Sequence, residues 1–195
     1  MTSQDHPLRN PRDPAALPAS GAWQKGDPVA WRQFVRISED RCFALEGGGT
    51  LEEIDIAFET WGELDATASN AVLVCHALTG DAHAAGATGP GQFSDGWWND
   101  LVGPGKAIDT DRYFVVCANV LGGCQGTTGP SSVNPADGER YGSRFPVVSI
   151  RDTVRTQAML ADHLGIDCWY SILGGSMGGM QVLEWAVMFL SLIHI

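Results

Sequence analysis

Three runs along the chain are apolar almost without interruption: AVLVCH (71–76), YFVVCA (113–118) and CWYSIL (168–173). Strands with no polar face are buried on both sides, as in a parallel sheet covered by helices. The stretch LEEIDIAFET (51–60) behaves differently. It alternates apolar and polar positions, as a half-exposed strand does. Before it, FALEGGG (43–49) supplies a shorter strand and a turn, so the sheet is expected to open with antiparallel strands. Between the second and third apolar runs the period becomes helical. In RDTVRTQAMLADHL (151–164), Val154, Ala158, Leu160, Ala161 and Leu164 fall broadly on one stripe. Ser149 stands where an N-cap would, Asp152 completes a capping box, and Gly165 follows as a stop. Helix, buried strand, glycine turn and second helix make an α/β arrangement.

Outside these elements the pattern weakens. Residues 1–30 hold prolines at positions 7, 11, 14, 18 and 28 and little periodicity, so they are expected to form a disordered or loosely attached arm before a domain over 31–195. The loop from Leu78 to about Ile108 is rich in Gly, Ala and Trp, and a loop of that length is usually functional or mobile.

Composition narrows the possible functions. A chain of 195 residues suffices for one domain with a real core. Its net charge of -11, from 23 acidic against 12 basic residues, argues against nucleic acid or an anionic membrane as the main partner. It does not exclude an anionic cofactor met by a local basic group. The five cysteines (Cys42, Cys75, Cys117, Cys124, Cys168) form no C-x-x-C pair. Three of them sit in or beside apolar runs and read as reduced core residues of a cytoplasmic protein, with no metal site. The N-terminus has no apolar signal core, and the longest uncharged apolar run (185–195) is too short to cross a bilayer.

The chemistry concentrates in LGGSMGGM (173–180). Gly174 to Gly178 match G-x-S-x-G, which is weak alone in a chain with 24 glycines. Its context is stronger, because a buried strand runs into Ser176 and a helix starts after it. The glycines are needed because side chains two residues either side of a serine on so sharp a turn would collide. The Met177 N–H then lies at a helix N-terminus, where it can stabilise an oxyanion. The alternative, a phosphate cradle, would normally bring a lysine, and none lies between Ser171 and Ile195.

A nucleophile elbow needs a second oxyanion donor from the loop after an earlier strand. The turn CHALTG (75–80) follows the first buried strand, and the Leu78 N–H is assigned that role. His76 reads as a structural histidine bonded to loop backbone, and His83 as exposed or pocket-lining. His6 and His163 fall on the arm and on the helix. Glu184 is eight positions past Ser176, about 12 Å along a helix and receding, and His194 is farther still. Neither is expected to serve as acid or base.

Several longer motifs, HALTGDAHAAG (76–86), GWWNDLVGPGKAIDT (96–110), NVLGGCQGTTGPSS (119–132), YGSRFPVVSIRD (141–152) and GGSMGGMQVLEW (174–185), together resemble the homoserine O-acetyltransferase family. So does EGGGTLEEIDIAFETWGEL (46–64). The resemblance runs from about Val35 to Val187 and implies an α/β-hydrolase fold: a mostly parallel sheet with antiparallel N-terminal strands. It implies acyl transfer from acetyl-CoA to the hydroxyl of L-homoserine in methionine biosynthesis, through an acyl-Ser176 intermediate. Acetyl-CoA would be a substrate, with no permanently bound cofactor, and the complete protein a homodimer. Succinyl-CoA as donor, serine as acceptor, or an esterase on the same fold are the alternatives. The sequence departs from the family at Phe189–Leu–Ser–Leu–Ile–His–Ile195, where family members continue into an aromatic-proline step. The chain is therefore expected to be truncated after the helix that follows Ser176. The family's catalytic aspartate and histidine would lie beyond it, and the 195 residues alone would be inactive.

Overall fold

Successive side chains of an extended chain point to opposite faces, so an uninterrupted apolar run needs a cover on both. The structure, a computed structural model, describes residues 21–37 and 42–193. Its strands are β1 (Gln33–Arg36), β2 (Phe43–Ala44), β3 (Thr50–Leu51), β4 (Asp55–Trp61), β5 (Ala71–Cys75), β6 (Val102–Gly103), β7 (Ile108–Asp109), β8 (Phe114–Ala118) and β9 (Ser171–Gly174). Helix α1 (Ile150–Leu164) lies between β8 and β9, and α2 (Met177–Met188) follows β9. The main sheet has the order β1-β4-β8-β5-β9. β1 and β4 run antiparallel to each other, β4 runs antiparallel to β8, and β8, β5 and β9 are parallel. The parallel continuation agrees with the sequence pattern, and so does an antiparallel opening, but β4 opens against β1, whereas the short strand expected at 43–49 pairs with β3 in a separate two-stranded sheet.

The two faces can be read along β5. Ala71, Leu73 and Cys75 belong to one apolar cluster, with Phe58, Val116, Ile172, Val154 and Leu160 of neighbouring elements. Val72 and Val74 belong to the other, with Val115, Cys117, Ala84, Ala85 and Val102. Helices α1 and α2 cover the first face, with the small β2–β3 hairpin at its margin. The long loop covers the second, and it is ordered there, with Trp97 and Trp98 packed on the sheet 4.9 Å apart. Burying one such aliphatic side chain contributes about 1.5–3 kcal/mol.

One further expectation is corrected. β4 is not half-exposed: Ile56, Ala57, Phe58 and Glu59 are all buried, because the loop segments around Thr127 and His83 cap its polar face. Part of the segment 21–30 touches the domain. Trp23 donates its N–H to the Cys124 carbonyl at 2.8 Å and packs its ring 4.7 Å from Phe34, and Gln125 reaches the Gly21 carbonyl. Residues 1–20, the rest of the expected arm, lie outside the described residues. After α2 the chain packs back on the core: the Phe189 ring lies 5.2 Å from that of Trp185, and the Leu192 carbonyl accepts the Trp169 N–H at 2.8 Å. On α2 and the turn after it, the large apolar side chains left outward are Met180, Leu183, Val187 and Leu190. No described helix is long and apolar enough to cross a membrane.

Helix α1 starts as its sequence specifies. Ser149 Oγ accepts the Asp152 N–H at 3.1 Å and Asp152 accepts the Ser149 N–H at 3.0 Å. Gly165 closes the helix at φ 71°. Asp152 does more than cap, since its other oxygen accepts the Glu46 N–H at 3.0 Å and the Arg155 guanidinium at 3.1 Å. Ser149→Ala is expected to cost about 1 kcal/mol in denaturant unfolding. Asp152→Ala should cost about 2–3 kcal/mol, because it removes one buried carboxylate that serves several donors at once. Equal losses would show that Asp152 acts through the cap alone.

Candidate active site

β9 delivers the chain directly to Gly174, and Ser176 then turns it into α2 with φ 57° and ψ -124°. A positive φ in a residue with a side chain costs of order 1–3 kcal/mol and persists only when its surroundings over-determine it. The glycines show what does so. A Cβ on Gly178 would sit 2.9 Å from the Cys75 carbonyl carbon and 3.2 Å from the His76 oxygen, and would overlap the Cys75 oxygen outright. A Cβ on Gly174 would sit 2.7 Å from the Gly178 carbonyl and 2.8 Å from the Cys75 oxygen. The first turn of α2 is therefore packed backbone-to-backbone on the end of β5, and Ser176 is pinched between. Gly175, by contrast, has open space where a Cβ would be. The Ser176 side chain makes no capping bond, and the residue is exposed. Met177 opens the helix, so its N–H is among those with no intrahelical acceptor.

Beside this turn, the chain leaving β5 makes its own tight turn, with the Gly80 N–H on the Ala77 carbonyl at 2.9 Å. Leu78 lies within it, 78% exposed. His76 below is buried. Its Nε2 accepts the Val120 N–H at 3.1 Å and its Nδ1 faces the Ala77 carbonyl at 2.7 Å. Those partners place the proton on Nδ1 and leave a neutral ring, and burial pushes its pKa below the usual histidine range. With its lone pair occupied, His76 is a structural residue, as its position in the sequence indicated.

A line of buried polar side chains ties the two turns together. The indole N–H of Trp185 donates to Gln157 Oε1 at 2.8 Å, and Gln157 Nε2 donates to Gln181 Oε1 at 2.6 Å. Gln181 Nε2 donates to the His76 carbonyl at 3.3 Å. The sequence signal for Gln157 and Gln181 was only that amides occupy positions on the buried stripes of two helices. His83 departs from expectation. It is buried, with Nδ1 2.8 Å from Glu59 Oε2, rather than exposed or lining a pocket. Burial pushes the Glu59 carboxyl up, while the His83 hydrogen bond opposes that shift. Glu184 is held by Arg151 at 2.6 Å on the α1 side of α2, which agrees with its exclusion as a catalytic acid. His163 ends α1. His6 and His194 lie outside the described residues.

Met177 also borders a cleft of about 310 Å³ lined by Val120, Leu121, Phe145, Val148 and Thr153 among others. The Cys75 thiol is pushed up to about 12 by burial, and Cys117 is raised well above its usual range for the same reason. Both are inert. No group of three or more His, Cys, Asp or Glu side chains among the described residues could hold a metal ion.

Strand, positive-φ serine between glycines, and helix are the framework on which the comparisons bear. Residues 70–193 match the alpha/beta hydrolase fold family. The chain belongs to that family. The homoserine O-acetyltransferase of Leifsonia xyli subsp. xyli is 59% identical over 172 residues, 88% of this chain and 42% of that protein. The structure of homoserine O-acetyltransferase from Bacillus anthracis superposes with a TM-score of 0.75 at 35% identity, covering 84% of this chain and 44% of that one. Esterase E22 superposes equally, with a TM-score of 0.75 at 36% identity over 83% of this chain and 45% of its own. This α/β-hydrolase chain thus spans less than half of the length of the curated relatives it matches, between 30% and 45%.

Two outcomes test the site's construction. Gly178→Ala forces β5 and α2 apart and is expected to cost about 3 kcal/mol or more. Gly175→Ala should stay within about 1 kcal/mol in the same unfolding measurement, and equal losses would refute backbone packing as the constraint. The second outcome follows from His76. Its folded pKa is depressed, so the unfolded chain takes up a proton that the buried ring resists. The resulting stability is fully present above about pH 6.5 and is lost as pH falls from there toward the folded pKa. Between about pH 7 and pH 5, stability should fall more steeply in the wild type than in His76→Asn.

Proposed function

We propose that these residues form the nucleophile half of an acyltransferase that moves an acetyl group from acetyl-CoA to the hydroxyl of L-homoserine. The observation that carries the reading is the Ser176 elbow, with its positive φ imposed by Gly174 and Gly178, in a chain 59% identical to a homoserine O-acetyltransferase. Ser176 Oγ attacks the thioester carbonyl as a base removes its proton. The oxyanion that forms is met by the N–H groups of Met177 and Leu78, the first an orphan of the helix N-terminus and the second in the exposed turn after β5. The C–S bond breaks and CoA leaves as the thiol. The homoserine hydroxyl then attacks the acyl-Ser176 ester, loses its proton to the same base, and releases Ser176 with O-acetylhomoserine as product. The base is not assigned to His76, whose lone pair is taken by Val120. His83 is excluded because its ring is buried against Glu59.

The likeness to esterase E22 keeps one second reading in view: water, rather than an alcohol, as the acceptor. In the complete protein, incubation with acetyl-CoA is expected to add one acetyl group to the Ser176 peptide by mass spectrometry. Ser176→Ala should carry none and lose roughly 10⁶-fold in turnover. Sustained CoA release that requires homoserine supports the transferase, and equal release without it supports the esterase. An acetyl adduct on another residue, or on the alanine variant, sinks the assignment of Ser176.

A further inference from the structure

The loop 76–83 carries the proposed Leu78 donor and is tied down at both ends. His76 anchors the near end. At the far end, the Ala82 N–H donates to Asn119 Oδ1 at 2.7 Å, and within the loop the His83 N–H donates to Asp81 Oδ1 at 2.9 Å. The Trp97 indole N–H donates to the Asp81 carbonyl at 2.9 Å. A fourth tie is of another kind: His83 Nδ1 lies 2.8 Å from Glu59 Oε2, spanning from the chain after β5, past β8, to β4. Glu59 is itself held from the other side, where Gln92 Nε2 donates to its Oε1 at 2.7 Å and Gln92 Oε1 accepts the Gly89 N–H at 2.8 Å.

This pair is an expensive way to join two segments. The His83 and Glu59 side chains are 2% and 1% exposed. Taking a carboxylate out of water costs several kcal/mol, and an apolar pair of the same volume is often as stable or more so. His83 Nε2 adds to the cost, since it is buried with no hydrogen-bond partner among the described residues. What an apolar pair could not supply is direction. A carboxylate that accepts the Nδ1–H sets the tautomer and the orientation of the ring, and with them the position of the backbone that bears it.

We propose that Glu59 and His83 are positioning residues, which hold the loop 76–83 so that the Leu78 N–H faces the oxyanion formed at Ser176. The inference rests on the acyl-transfer reading. It differs from a purely structural role because an oxyanion exists only along the reaction, so misplacing its donor lowers kcat and leaves donor binding unchanged.

The test uses the complete protein with acetyl-CoA and homoserine, in Glu59→Gln, Glu59→Ala, His83→Gln and His83→Ala. Turnover is expressed per Ser176 able to take an acetyl group, counted by mass spectrometry, so that misfolded protein does not contribute. The alanine variants are expected to lose about 10–100-fold in kcat, with KM for acetyl-CoA within about twofold. Glu59→Gln, which still accepts the Nδ1–H, should retain more than Glu59→Ala. Wild-type kcat per acylated site in the alanine variants overturns the inference, as does a rise in KM with kcat unchanged. Loss of folding in the glutamine and alanine variants alike also overturns it, because the pair would then hold the domain rather than the loop. If wild-type Ser176 takes no acetyl group, the acyl-transfer reading itself fails and takes the inference with it.

Discussion

The site depends on one steric contact, the first turn of α2 lying against the Cys75 carbonyl at the end of β5 with no room for a side chain at Gly178. Two consequences follow from that approach. The chain leaving β9 must reverse within a few residues, which forces Ser176 to φ 57°. The chain leaving β5 must turn away beside it, which brings the Ala77–Gly80 turn next to the helix N-terminus. Because β5 and β9 are hydrogen-bonded neighbours with Cys75 opposite Gly174, both turns emerge at the same end of the sheet. The strain at Ser176 is thus a property of the packed sheet and helix, and the local sequence only permits it.

Around this contact the core is polar where a sheet-and-helix core is ordinarily apolar. Trp185, Gln157, Gln181 and His76 form a hydrogen-bonded line from the interior of α1 and α2 to the backbone of the β5 turn. In a buried setting each of these bonds is strengthened by the low local dielectric, and each unmade one would be costly. Such a line admits one arrangement of the two helices relative to β5, whereas aliphatic side chains would tolerate several. Glu59 and His83 act in the same sense on the opposite face of the sheet, where the long loop provides the cover.

Much of this was legible in the residues. Uninterrupted apolar runs marked the strands that are buried on both faces. Ser149, Asp152 and Gly165 marked the ends of α1, and glycine spacing around Ser176 marked the elbow. These signals are local, carried by residues within a few positions of each other. What escaped depends on long-range cover. Glu59 looked like the polar face of a half-exposed strand, because nothing in residues 51–60 shows that His83 and Gln92 fold over it. His83 looked exposed or pocket-lining for the same reason. Proline-rich composition made 21–30 look loose, and nothing in it signals that Trp23 packs against Phe34. Gln157 and Gln181 were passed over because a reading by apolar stripes ignores the amides that occupy them.

The central claim is that the packed elbow aims two backbone N–H groups, of Met177 and Leu78, at the oxyanion formed on Ser176. Amide hydrogen exchange at single-residue resolution tests it directly, comparing the complete protein before and after Ser176 is phosphonylated by a fluorophosphonate, whose bound oxygen stands in for the oxyanion. The account predicts that both amides exchange quickly in the free protein and slow together by about tenfold or more in the adduct, as each gains a charge-assisted hydrogen bond. Unchanged exchange at both, or protection that appears at other amides of the two turns instead, would contradict it.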